Sequence, residues 1–149
     1  MPISDSCAPP WSTLKRAISR NPLTLPREER AAWVGDLPVK PYAPGTDVLY
    51  FVGCTPSYDP RVQQVARSLA RVLAQGGVDF GILYEAERNS GNDVRRAGEE
   101  GLFEQLAEQN IAAFGKYEFK RLVVTGPHEF NAFKNEYPKL GADLNVVHY

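Results

Sequence analysis

Gly53-Cys-Thr-Pro-Ser-Tyr-Asp59 carries the most chemically capable atom in this chain, the thiol of Cys54. It stands between a short apolar run and an expected helix start, where the positive helix end can lower a thiol pKa. A thiolate there could attack an electrophile or bind a soft metal. The plain alternative is a small buried hydrophobe, a common fate of free cysteine. His128-Glu129 supplies a second pair. Cys54 with His128, the imidazole oriented by Glu129 or Asp59, would form a nucleophilic couple. An exposed His near a helix start is the ordinary alternative. Cys54, His128 and Glu129 together are also an allowed donor set for one metal ion. The zinc-protease pattern fails, because Ala132 stands where the second His belongs. Cys7 is the remaining cysteine, and two thiols cannot build a disulfide framework or ligate an iron–sulfur cluster alone.

The elements that must position these residues follow from periodicity. Val48-Leu-Tyr-Phe-Val52 reads as a strand buried on both faces. Asp59-Pro60 offers an N-cap acid and a first-turn proline, and Val62, Val65, Ala66, Leu69, Val72 and Leu73 form a helical stripe. Gly76-Gly77 ends that helix. Further strands are expected over Val78–Tyr84, Arg121–Thr125 and Asp143–Val147. Helical stretches follow Asn89–Asp93, with Leu102, Phe103, Leu106, Ile111 and Phe114 inward, and Gly126–Phe130, closing at Pro138.

Strand and helix alternate with connections too long for hairpins. The expected fold is therefore α/β, a three-layer parallel sheet of about four strands with flanking helices. A proline-rich N-terminal arm or connector spans 1–45, with helical pieces at Ser12–Ser19 and Pro26–Val34, and the domain proper spans 46–149. Trp11 and Trp33 lie in the arm, either as an exposed binding surface or packed back on the domain. In parallel sheets the working site lies beyond the carboxyl ends of the strands. Gly53–Asp59, Arg88–Asp93 and Gly126–Glu129 should converge there.

Composition narrows the function. Of 149 residues, 17 are Lys or Arg and 18 are Asp or Glu, a net charge of −1 that gives no pull toward nucleic acid. Arg95-Arg96 is balanced by Glu99 and Glu100. No Gly-x-Gly-x-x-Gly follows Phe51-Val52, and no phosphate loop ends in Gly-Lys-Ser/Thr. Apolar runs such as Ile111–Phe114 fall far short of the ~20 residues that span a bilayer, so direct membrane insertion is not expected. The first residues carry no basic start or apolar run of a secretory signal, making the cytosol the expected compartment. Attachment to a membrane-associated complex through a partner stays open.

The stretch Asp47-Val-Leu-Tyr-Phe-Val-Gly-Cys-Thr-Pro-Ser-Tyr-Asp-Pro-Arg-Val62 resembles the start of a CCG domain, the cysteine-rich module of heterodisulfide-reductase-like iron–sulfur oxidoreductases. The resemblance continues through Asp93–Phe103, Pro127-His128, Phe130–Pro138 and Val147-His148-Tyr149, and the connector Asn21-Pro22, Leu25-Pro26, Glu29-Arg30 resembles the segment preceding such modules. It implies a parallel α/β domain whose loop cysteines hold a [4Fe–4S] cluster for electron transfer. By the same resemblance, Cys54 matches the first family cysteine. Gly91 matches the glycine of the Cys-Cys-Gly signature, and Pro127-His128 match the centre of Cys-Pro-His-Cys. Asn89 and Ser90 stand in place of the paired cysteines, and Gly126 and Glu129 in place of the last two.

The resemblance thus implies a scaffold that keeps one family ligand and has lost most of the cage. No cofactor is expected from this chain alone. The expected function is a non-cluster-binding accessory module of a redox complex, with protein subunits as partners. The alternative keeps oxidoreductase function, with Cys54 as one ligand of a cluster or metal that a partner completes. Whether the chain is itself an enzyme is open at this point.

Overall fold

Leu49 and Phe51 point to one face of a strand while Val48, Tyr50 and Val52 point to the other, and all five are buried. Such a strand needs cover on both sides, and the rest of the chain supplies it. In the computed structural model, which describes residues 25–149, five parallel strands form one sheet. They are β1 (Lys40–Pro41), β2 (Val48–Phe51), β3 (Phe80–Ile82), β4 (Arg121–Val124) and β5 (Val146–His148), in the spatial order β1-β3-β2-β4-β5. The register sets Leu49 beside Leu122 and Phe51 beside Val124.

Five helices connect them: α1 (Cys54–Tyr58), α2 (Pro60–Gln75), α3 (Asn92–Arg96), α4 (Glu100–Phe114) and α5 (Pro127–Asn131). The α2 start is built as its sequence requires. The Asp59 side chain accepts a hydrogen bond from the Arg61 N–H at 2.8 Å, and Pro60 occupies the first turn, where its missing N–H costs nothing. Ala66, Leu69 and Ala70 of α2 cover the Tyr50 face. Phe103, Leu106 and Phe114 of α4, with Phe133 and Tyr137, cover the Phe51 face. Phe51, Phe114 and Phe133 meet edge to face at centroid distances of 4.8 to 6.2 Å, the arrangement favoured by the ring quadrupoles.

The parallel three-layer α/β class agrees with expectation, and the strand count is corrected from about four to five. The extra strand, Lys40–Pro41, lies within the stretch assigned to the arm. It is two residues long, sits at the sheet edge beside β3, and contains a proline, which edge strands tolerate. β3 and β5 are also shorter than expected, Phe80–Ile82 and Val146–His148. The anticipated helix at Pro26–Val34 is a 3-10 turn over Arg27–Ala31 followed by further turns, and the one at Ser12–Ser19 lies outside the described residues. Beyond α5 the chain widens into a π turn at Ala132–Glu136 and then tightens at Tyr137–Leu140, which seats Phe133 and Tyr137 fully in the core.

Trp33 is 2% exposed and packs edge to face on Tyr50 at 6.2 Å. Arg67 of α2 fastens this segment by donating to the Trp33 and Val34 carbonyls at 2.7 and 3.0 Å. The Trp33 ring therefore serves as core under β2. Trp33→Ala is expected to cost about 3–5 kcal/mol of unfolding free energy, measured by urea denaturation. A cost below ~1 kcal/mol would show that the ring does not close this layer.

Candidate functional site

The strand order places β3 and β4 on opposite sides of β2. The chain leaves β2 toward β3, then crosses to β4, so the crevice beyond the carboxyl end of β2 is the topological switch point of the sheet. The loops after β2, β3 and β4 all arrive there.

The first loop delivers Cys54 as the opening residue of α1, 7% exposed. The second delivers Glu87, after Tyr84 turns the chain with a left-handed φ of 50° and donates its hydroxyl to the Val39 carbonyl at 2.6 Å. The turn at Arg27–Ala31 inserts Arg30 from the other side, 3% exposed. Glu87 accepts from Arg30 Nη2 at 2.6 Å and from the backbone N–H groups of Val52 and Gly53, both at 2.8 Å. The Arg30 nitrogens Nη1 and Nη2 lie 3.6 and 3.7 Å from Cys54 Sγ. Arg30 Nε and the Tyr58 hydroxyl are buried beside them without a hydrogen-bond partner.

The electrostatics follow from burial. Desolvation works against the Arg30 charge, but the Glu87 carboxylate and the Cys54 sulfur outweigh it and hold its pKa above the usual arginine range. For Cys54 desolvation wins. Its pKa is pushed up to about 11 although Arg30 pulls it down. This is opposite to the lowering expected for a cysteine at a helix start. The helix is only five residues long, and a buried thiol loses more from desolvation than one turn of dipole returns.

Glu129 lies over the same crevice, half-buried, its carboxyl folded back against Gly53 and Gly126. A Cβ on Gly126 would lie 1.8 Å from Glu129 Oε2, so this carboxylate occupies the space a side chain at position 126 would need. Burial raises its pKa, with Glu87 and Asp93 adding to the rise. His128 is exposed on the outer side of α5. The structure thus brings Cys54 and Glu129 to one crevice and leaves His128 at the surface. Among the described residues, no group of three or more His, Cys, Asp or Glu side chains is placed to hold a metal ion. Asp59 is spent on capping α2.

Asn89 and Ser90, both 3% exposed, serve the backbone. Asn89 Oδ1 accepts from the Gly91 N–H at 2.8 Å, and the Asn89 carbonyl accepts from Asn110 Nδ2 at 2.8 Å. The Ser90 carbonyl accepts from the Tyr137 hydroxyl at 2.9 Å, and that hydroxyl also accepts from Asn110 at 3.0 Å. Gly91 closes the turn at φ 84°, with no room for a Cβ against the Phe103 ring at 2.9 Å.

Arg30 and Glu87 were not anticipated as site residues. The available signal was weak: Arg30 shares a face with Trp33 and Val34 at helical spacing, and Glu87 sits where a strand-end loop enters the crevice.

Residues 48–134 match the family described as the cysteine-rich (CCG) domain. The chain is 41% identical over 138 residues to the probable iron–sulfur-binding oxidoreductase FadF of Bacillus subtilis, covering 87% of this chain and 20% of that protein. It is 40% identical over 103 residues to an EtfAB:quinone oxidoreductase of Syntrophomonas wolfei, covering 69% and 14%. It is 32% identical over 135 residues to one component of the dihydromethanophenazine:CoB–CoM heterodisulfide reductase of Methanosarcina barkeri, covering 86% and 32%. The chain therefore spans a third or less of these relatives' length. No solved structure matches it.

Two outcomes follow from the geometry. Arg30→Met or Glu87→Gln alone should each cost about 3–5 kcal/mol, since either strands a buried polar partner, while the double variant costs clearly less than their sum. Additive costs in a denaturation cycle would show that the two groups do not depend on one another. Second, Cys54 in the folded protein should react with iodoacetamide ~100-fold more slowly than in the denatured chain at pH 8, because the thiolate is the reactive form. The rate should climb as pH rises through about 11. Peptide mass spectrometry reads the Cys54 fragment separately from Cys7. Equal rates in both states would mean that the thiol is neither buried nor raised.

Proposed function

The chain belongs to the cysteine-rich (CCG) domain family, and from that premise we propose that it is a module of an electron-transfer complex whose loop site is closed by protein side chains instead of an iron–sulfur cluster. The observation that carries this reading is the Arg30 guanidinium set against Cys54 Sγ and locked by Glu87. A cation buried against the one thiol of the loop site disfavours a second cation beside it.

The donor chemistry supports the same reading. A [4Fe–4S] cluster asks for about four thiolates, because soft sulfur matches iron and bridges it to sulfide. The whole chain has two cysteines, Cys7 and Cys54. Asn89 and Ser90 are neutral oxygen and nitrogen donors already committed to a turn, and Gly126 offers no side chain. The residues of this chain do not fit the cluster. What survives is the scaffold, and the relatives named for iron–sulfur and quinone oxidoreduction support a docking role beside redox subunits. No helix among the described residues is long and apolar enough to cross a membrane. Association with a membrane complex would run through a protein partner.

Iron and acid-labile sulfide measured after anaerobic purification test the proposal. The expected content is far below the roughly four irons of a cluster. A stoichiometric cluster signal by electron paramagnetic resonance would overturn it. The alternative is a shared site, with Cys54 as one ligand completed by a partner. Cys54→Ser in the assembled complex decides that point, with unchanged metal content expected. A positive control is Asn89→Cys, Ser90→Cys, Gly126→Cys and Glu129→Cys combined, which should take up iron and sulfide on reconstitution. Gly126→Cys must be paired with Glu129→Cys, since the carboxylate fills that space.

A further inference from the structure

Residues of α3, α4 and the π turn line a second pocket, of about 240 Å³ and open to solvent. Its lining includes Asn92, Arg95 and Arg96 of α3, Phe103 of α4, Asn131 at the end of α5, and Glu136. None of these takes part in the cluster around Arg30 and Glu87.

Asn92 is 5% exposed, and its Nδ2 has no hydrogen-bond partner. A buried amide donor left unmet is costly, and native structures leave few of them without a ligand or water to satisfy them. Asn131 accepts from Asn135 through Oδ1 at 2.9 Å, which leaves its own Nδ2 as a second donor at the rim. Arg96 is exposed and makes no ion pair or hydrogen bond with any described residue. Arg95, by contrast, is committed. Its guanidinium is bonded to Glu136, lies 3.2 Å from Glu100, and stacks over the Phe103 ring at 4.9 Å. It forms a fixed wall, not a free cation.

We propose that this pocket binds a small monocarboxylate, with Arg96 and the Asn92 and Asn131 carboxamides as its donors. One carboxylate oxygen meets the buried Asn92 Nδ2, and the other meets Arg96 at the open side. The charge count selects this anion. Arg96 is the cation left over once Arg95 is paired, and it neutralises a single negative charge. Glu136 in the wall repels a second one, which disfavours phosphate. The concave shape favours a free small molecule over the acidic side chain of a docked protein.

The test is a ¹H–¹⁵N NMR titration of the full chain with acetate and propionate at constant ionic strength, set with chloride. The expected result is saturable movement of the Asn92 and Asn131 side-chain amide signals with a midpoint in the millimolar range, ~1–30 mM for a ligand of so few atoms. Arg96→Ala, at an exposed position that leaves the fold intact, should weaken binding by at least about tenfold. Asn131→Ala should weaken it by a smaller factor. Lack of saturation up to about 100 mM would overturn the proposal, as would binding indifferent to Arg96→Ala. Tighter saturation by inorganic phosphate would overturn the charge argument. Tighter saturation by a blocked glutamyl tripeptide would overturn it in favour of a protein's acidic side chain. Because none of these readouts depends on iron, the outcome is separable from that of the cluster measurement.

Discussion

An arginine at 3% exposure persists only where its charge is met in place, and in this domain one carboxylate meets it. Glu87 holds Arg30 at 2.6 Å and also receives the Val52 and Gly53 N–H groups that leave the carboxyl end of β2. Three segments far apart in the chain are thereby tied at one point: the turn at Arg27–Ala31, the strand end before Cys54, and the loop after β3. Buried pairs of this kind add little net stability over an apolar replacement, but breaking one is expensive. The pair acts as a register device. It fixes where the N-terminal turn meets the sheet, and so which atom faces Cys54.

That constraint explains the state of the thiol. With Arg30 alone beside it, Cys54 would be drawn toward thiolate. Burial outweighs that pull, and the Glu87 and Glu129 carboxylates add smaller pushes in the same upward direction. At neutral pH the sulfur is accordingly a thiol, weakly accepting under a guanidinium. Glu129 completes the closure from the third loop by filling the volume over Gly126.

Much of this architecture is legible in the sequence. The both-face burial of Val48–Phe51, the Asp59-Pro60 helix start and the glycine stop after Gln75 are local signals that tertiary packing had no reason to override. The Lys40–Pro41 strand was not legible, because two residues ending in proline carry no periodicity, and only the β3 edge makes them a strand. The same logic governs the site. Cys54, Asn89, Ser90, Gly126 and Glu129 could be found by motif position. Arg30 and Glu87 could not, since each reads locally as a solvated charge and becomes a buried partner only through the other. Of the two readings the sequence leaves open for Cys54, an activated thiol or a small buried one, burial favours the second, because the helix dipole is visible in sequence whereas the depth of burial is not.

A cysteine-rich module normally gains folding energy from what its thiolates bind, because a bound group favours the state that presents its ligands. A chain without those thiolates must hold the same three loops by other means. In this chain each loop is held by contacts from within the protein. Glu87 ties the first to the second through two backbone N–H groups. The Asn89 and Ser90 carbonyls are held by Asn110 and Tyr137, both anchored in the Phe51-side core. Glu129 folds onto Gly53 and links the third loop to the first. The Glu87, Asn110 and Tyr137 contacts are hydrogen bonds, the Glu129 contact is close packing over two glycines, and all are internal to the chain. The same internal contacts let the three loops converge beyond the carboxyl end of β2 through the chain's own side chains, Glu87 at the first and second loops and Glu129 at the third.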